Sequence, residues 1–229
     1  MRQSEKSNNR TSLNLRFRIM AIQNLVPTEG MIDGDERRTS IRPLSKEYAR
    51  IRPAAQLSVI VAADMRGAIG LRGGMLWHLR DDLRRFKAIT TGKAVIMGRK
   101  TWQSLPRRPL PGRLNVVITR QSDFVAEGAR VAGSLTEAIG IAAGCEEIFI
   151  IGGGEIYRQA LGMATRLYMT RILAEAPEAD TFFPEVSADE WTLTEQEYHG
   201  SEGETPAFRF ENYVRTGRAR KTVGEGSAE

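Results

Sequence analysis

Val95-Ile96-Met97-Gly98-Arg99-Lys100-Thr101-Trp102 and Ile148-Phe149-Ile150-Ile151-Gly152-Gly153-Gly154-Glu155-Ile156-Tyr157 decide the fold. Each runs from an apolar stretch through glycine into a helical start, as a buried parallel strand feeding a helix does. Glycine at such a junction lets backbone approach a ligand. The helix N-terminus behind it presents unpaired N–H groups to an anion. Two junctions in one chain suit a dinucleotide held by both of its halves. Arg99 and Lys100 stand at a helix start, where cations oppose the macrodipole. An anion between them and the helix end removes that conflict, and the 2′-phosphate of NADP(H) is such an anion; a solvated basic turn is the other reading. The triple glycine lacks the G-x-G-x-x-G spacing of the dinucleotide fingerprint and is by itself also consistent with a flexible turn.

Outward from these junctions the chain alternates strand and helix. Leu57-Ser58-Val59-Ile60-Val61-Ala62-Ala63, closed by Asp64, reads as a buried first strand. Residues 64–78 carry Gly67, Gly70, Gly73 and Gly74 and read as a loop. Leu79, Leu83, Phe86 and Ile89 recur at helical spacing over 79–90, and Gly92 follows the helix end. Further strands are expected at 93–98, 114–119, 147–151 and 166–173, and helices at 99–105, 135–143 and 155–162. Ser134 with Glu137 three residues on predicts a capping box. Trp191 to Glu197 and Ala207 to Val214, split by a polar loop, predict an antiparallel pair. The expected fold is a single α/β domain. Its central twisted sheet is mostly parallel, with an antiparallel C-terminal edge strand and flanking helices.

Composition narrows the function. Of 229 residues 41% are hydrophobic, enough for a packed core. No apolar run approaches the ~20 residues a membrane span needs. The single cysteine, Cys145, excludes an intramolecular disulfide and fits a reducing, cytoplasmic setting. Two histidines, His78 and His199, argue against a histidine metal cluster or a Ser-His-Asp triad, so no metal site is expected. The net charge of +5 comes from residues 1–56, with eleven Lys/Arg against six Asp/Glu; residues 57–229 carry 22 of each sign. A basic face on the domain is therefore not implied, which argues against a nucleic-acid partner. Residues 1–56 are expected to be a disordered N-terminal extension, 57–215 the domain and 216–229 a polar tail.

Asp82 lies one turn into the first helix, beside Leu79, Leu83 and Phe86. One reading is a first-turn acid that complements the helix dipole. Another is a carboxylate at an apolar edge, raised in pKa and able to exchange protons near neutrality. Such a group can also pair with the N–C–N edge of a pterin.

Residues 57–215 resemble bacterial dihydrofolate reductases. The resemblance rests on Ile69-Gly70, Trp77, Asp82-Leu83 with Phe86-Lys87, the 95–102 run, Pro109-Leu110-Pro111-Gly112-Arg113-Leu114-Asn115, the 151–157 run, Leu167-Tyr168-Met169-Thr170 and Asp180-Thr181-Phe182-Phe183-Pro184. It implies reduction of dihydrofolate with NADPH. It assigns Asp82, Trp77 and Thr170 to catalysis, with Asp82 binding the pteridine and promoting N5 protonation through water. It assigns Ile60, Leu83, Phe86, Lys87, Leu105, Leu110, Arg113 and Tyr157 to the substrate, with Arg113 on the glutamate α-carboxylate. Cofactor contacts fall on Ala62, Ile69, Gly98, Arg99, Lys100, Thr101, Thr119, Arg120 and Ile151, and on Gly152, Gly153, Gly154, Glu155 and Ile156. A cis peptide is implied at Gly152-Gly153.

Residues 64–78, including Gly70, Gly73, Gly74, Met75 and Leu76, correspond to a mobile lid. Leu76 stands where the family pattern has proline before tryptophan, which implies a looser lid. The chain is expected to act as a monomer. Alternatives are the related pyrimidine reductase of riboflavin synthesis, a silent folate- and NADPH-binding homologue, and a basic arm that binds nucleic acid. Trp77, Asp82 and Arg113 together argue against the first, and Asp82 with Thr170 against the second. The six acids among the arm's eleven bases weaken the third.

Overall fold

The computed structural model describes residues 55–216. The expectations for the extension and the tail lie outside the described residues, apart from Ala55, Gln56 and Thr216. In chain order the strands are β1 (Gln56–Ala63), β2 (Ala68–Gly70), β3 (Ala94–Gly98), β4 (Leu114–Ile118), β5 (Arg130–Ala132), β6 (Glu147–Ile150), β7 (Arg166–Ile172), β8 (Thr181–Phe182), β9 (Trp191–His199) and β10 (Phe208–Arg215). The helices are α1 (Arg80–Thr90), α2 (Arg99–Ser104), α3 (Leu135–Ala142) and α4 (Gly154–Leu161).

Eight strands form one sheet in the order β5-β4-β3-β6-β1-β7-β10-β9. Pairing is parallel from β5 to β7. Strand β10 runs antiparallel to both β7 and β9. The fold is the expected α/β sheet, refined at one point: β10 lies inside the sheet and β9 forms its edge. β2 and β8 make a separate two-stranded ribbon.

The parallel strands are apolar on both faces because both faces are covered. One face carries Val59, Val61, Ile96, Val116, Ile148, Ile150, Leu167 and Met169, packed with α3 and α4 through Leu135, Ala138, Ile156, Ala160 and Leu161. The other carries Ile60, Val95, Met97, Val117 and Phe149, against Trp102 of α2 and Phe86 and Ile89 of α1. Full burial of each such side chain contributes about 1.5–3 kcal/mol. The α3 cap matches its sequence signal in part. Ser134 Oγ accepts from Glu137 N at 3.2 Å, while Glu137 Oε2 reaches Gly133 N at 2.8 Å, one residue before the cap. In α1 the expected apolar stripe is broken. Leu79 is buried just before the helix, whereas Leu83 is 39% exposed.

Candidate active site

The C-terminal ends of β1, β3, β4, β6 and β7 make one edge of the sheet, the edge on which open α/β sheets bind ligands. Two glycine turns meet there. Gly98 N donates to Gly152 O at 2.7 Å and Ile151 N to Ile96 O at 2.9 Å. The Gly152-Gly153 peptide is cis, as expected. A Cβ at Gly98 would lie 3.3 Å from Ile156 Cγ1. One at Gly152 or Gly153 would lie 3.3 Å from Thr101 Oγ1, and Gly152 also has φ +124°. A side chain at any of the three would fill the cleft between the turns. Helices α2 and α4 begin at this cleft, so both offer N-terminal N–H groups to it.

Cations surround the same turns. Arg99 is half-buried, with Nη1 donating to Gln103 Oε1 at 3.1 Å, and Lys100 and Arg120 are exposed. Glu155 sits below its ordinary carboxylate value, first through hydrogen bonds from Gln159 and Arg158 and least through the charge of Arg120. Thr119 is half-buried at the end of β4, its Oγ1 accepting from Gln121 N at 3.2 Å. Together these groups fit a diphosphate with a further phosphate beside it.

Asp82 stands on the other side of β1. Its Oδ1 accepts a 2.6 Å hydrogen bond from Thr170 Oγ1, and Thr170 pairs with Ala62 across β7 and β1. Burial raises the Asp82 carboxyl above its ordinary value, with the Thr170 bond and the Arg85 charge opposing. Trp77 packs, as Ala62 and Phe210 do, against the buried cluster of Leu79, Ile172 and Phe208, and its Nε1 is buried with no partner among the described residues. An unpaired buried donor costs roughly 1–3 kcal/mol, so this N–H is placed to bond water or ligand.

The expected substrate wall gathers around Ile60. Phe86, Leu105, Leu110 and Ile151 all pack on the cluster that contains it. Leu83 is exposed on the same helix and Lys87 is exposed near its end. Arg113 is pinned: Nε donates to Thr90 Oγ1 at 2.7 Å, Nη1 to Pro111 O at 2.9 Å and Nη2 to Lys87 O at 3.4 Å, with the guanidinium 5.5 Å from the Phe86 ring centre. Such a fork is preorganised for a carboxylate.

Ile156 and Tyr157 also belong to the core of the opposite face, and Ile69 is partly buried against it. Tyr157 reaches the site only through its hydroxyl, which donates to Ile60 O at 2.8 Å. In the lid segment Leu71 and Gly74 exchange hydrogen bonds of 3.1 and 2.9 Å around Arg72 (φ 50°) and Gly73 (φ 82°). Gly70 lies in β2, Met75 is 64% exposed and Leu76 is half-buried.

A family model for dihydrofolate reductase matches residues 56–215. The chain belongs to the dihydrofolate reductase family. It is 42% identical over 160 residues to the dihydrofolate reductase of Neisseria meningitidis serogroup A, covering 70% of this chain and 98% of that one. It is 51% identical over 118 residues to that of Mycobacterium leprae, covering 51% and 72%. A solved dihydrofolate reductase from Enterococcus faecalis, complexed with NADP(H) and RAB-propyl, superposes with TM-score 0.64 at 34% identity. That match covers 71% of this chain and 97% of that one.

Two residues beside this dihydrofolate reductase site were not singled out from sequence. Asp180 Oδ2 accepts from Arg72 N at 2.7 Å and so ties the lid turn to the β8 segment. The motif that contains Asp180 carried the signal, but no local pattern shows the contact 108 residues away. Arg85, one turn after Asp82, had helical spacing as its only signal.

Proposed function

We propose that the dihydrofolate reductase activity of this chain runs through Asp82, set at an apolar edge against Thr170. The chain reduces 7,8-dihydrofolate to 5,6,7,8-tetrahydrofolate and uses NADPH. Asp82 holds the N–C–N edge of the pteridine. Its partly buried carboxyl favours the protonated form more than an exposed aspartate does, so it can feed a proton toward N5 near neutrality. Trp77 Nε1 orders the water that carries that proton. Thr170 fixes the carboxyl's orientation. Ile60, Leu83, Phe86, Leu105 and Leu110 wall the pteridine and benzoyl groups, Arg113 takes the glutamate α-carboxylate, and Lys87 and Tyr157 complete the substrate side.

When bound, NADPH supplies the hydride delivered to C6. Gly152, Gly153, Gly154, Glu155 and Ile156 receive the diphosphate. Arg99, Lys100, Thr101, Thr119 and Arg120 hold the 2′-phosphate end, and Ala62, Ile69 and Ile151 flank the nicotinamide. The lid at 64–78 excludes water when it closes. Residues 57–215 form the catalytic unit, supported by the span of the family match. No helix among the described residues is long and apolar enough to cross a membrane. The single cysteine supports a reducing, cytoplasmic setting, and the unit works as a monomer without nucleic acid.

The observation that carries this reading is the 2.6 Å Thr170–Asp82 bond at the half-buried carboxyl, and the unpaired Trp77 N–H supports it. The test follows absorbance of the nicotinamide with and without dihydrofolate. Oxidation should require dihydrofolate and should favour NADPH over NADH by ~10-fold or more, the worth of one or two charge-assisted contacts to the 2′-phosphate. Equal rates with NADH would remove Arg99 and Lys100 from that role.

A further inference from the structure

Arg85 is placed unusually for a helical arginine. Its guanidinium carbon lies 4.4 Å from the Phe210 ring centre and 5.9 Å from that of Tyr168. Nη2 donates to Asn212 Oδ1 at 2.5 Å, and Nη1 is buried without a hydrogen-bond partner among the described residues. Asn212 is held in turn, its Nδ2 donating to Glu195 Oε2 at 2.5 Å. No carboxylate among the described residues makes an ion pair with Arg85. The antiparallel edge thus clamps a half-buried positive charge one helical turn from Asp82.

We propose that Arg85 is a positioning residue for the reduction: held by Phe210 and Asn212, its fixed charge acts on the Asp82 carboxyl and sets the pH range over which that group passes its proton. This rests on the reading of Asp82 given above. Arginine remains charged at every working pH, so the effect does not titrate away. The guanidinium favours the carboxylate form and opposes the burial that favours the acid.

The other groups facing the pair act differently. Glu195 and Glu197 of β9 temper Arg85 from the exposed side. His199 lies with Nε2 3.2 Å from Glu197 Oε1 and its ring stacked on Phe208. On α1 itself Asp81 and Arg84 pair with each other and cancel at a distance. Tyr157, opposite on α4, is pushed up by burial and stays neutral. Tyr168 presents its ring to Arg85. Arg85 is therefore the positive charge of this group that lies on the same helix as Asp82, and it is held over Phe210, the β10 residue opposite Thr170, which bonds Asp82.

The test is the pH profile of single-turnover NADPH oxidation with dihydrofolate, on the full chain from pH 5 to 9. Arg85→Met should move the alkaline limb upward by roughly half a pH unit or more, the size expected for losing a nearby, partly screened opposite charge. Arg85→Lys should bring it back toward wild type. Asn212→Asp keeps an acceptor for Arg85, gives up the donor to Glu195 and sets a negative charge against the guanidinium; it should move the limb the same way, and decides the proposal where the Met variant fails to fold. A uniform loss of rate with the limb unmoved in both variants would overturn the proposal and leave Arg85 a packing residue. The Asp82→Asn profile separates the two readings. If its limb persists, the Asp82 assignment has failed; if its limb vanishes while the Arg85 and Asn212 variants match wild type, only the Arg85 proposal has.

Discussion

Opposite ends of β1 hold two acidic side chains with opposite surroundings. At the N-terminal end Glu147, 7% exposed, has both oxygens taken. Ser58 Oγ donates to Oε1 and Lys93 Nζ to Oε2, each at 2.6 Å. Near the C-terminal end Asp82 accepts one 2.6 Å bond from Thr170 and makes no ion pair among the described residues. The first carboxylate is matched by protein and pins β1 to β6. The second keeps an oxygen uncommitted in a setting that favours its neutral form. Asp64, fully buried, falls with Glu147, since it accepts from the backbone N–H groups of Arg66, Ala68 and Ala176 at 2.8–2.9 Å. Saturation marks a structural acid and an unspent acceptor marks a reactive one.

That contrast can be broken by mutation. Glu147→Ala should have the largest effect on stability. It strands Lys93 and Ser58, and with Lys93 33% exposed the cost is about 2 kcal/mol in chemical denaturation, with turnover per folded molecule unchanged. A catalytic defect in folded protein would show that the two ends of β1 are coupled. Thr170→Val should lower the rate at neutral pH by ~10-fold, the worth of one hydrogen bond to a charged group. Because that bond favours the carboxylate, its loss should also move the alkaline limb upward.

The smallest effect is on the stability of Asp82→Asn. The folded state raises the Asp82 pKa above 3.8, so below that value the group is neutral in both states and costs nothing. As pH rises the unfolded chain ionises first, and the wild type loses stability until the folded group ionises too. An amide in place of the carboxyl does not ionise and avoids this loss. The Asp82→Asn protein should therefore melt above wild type at pH 8, and the gap should close toward pH 3. A gap that widens on acidification would mean Asp82 is stabilised by its surroundings as Glu147 is.

How far the sequence reaches depends on the distance between cause and effect. Val95–Met97 and Ile148–Ile150 are buried parallel strands, and short, β-branched apolar runs closed by glycine favour that reading over a buried helix. Ser134 caps α3 through a contact three residues away. The short strands Ala68–Gly70, Arg130–Ala132 and Thr181–Phe182 carry no period to read, and their pairing comes from tertiary contact. Leu83 matched the apolar stripe but is exposed, because helical spacing does not show how far the core covers the helix. Asp82 was legible as an acid at an apolar edge, and the resemblance put Thr170 in the same catalytic set; the bond between them spans 88 residues. The Arg85 contact to Asn212 spans 127 residues and left no local mark.

The most direct measurement is single-turnover reduction of dihydrofolate by Asp82→Asn at pH 7, alongside NADPH affinity from fluorescence titration. The rate should fall ~100-fold or more, as for removal of a positioned general acid, with NADPH affinity held within about threefold. Wild-type-like turnover would contradict that role for Asp82, and so would equal losses in rate and NADPH affinity.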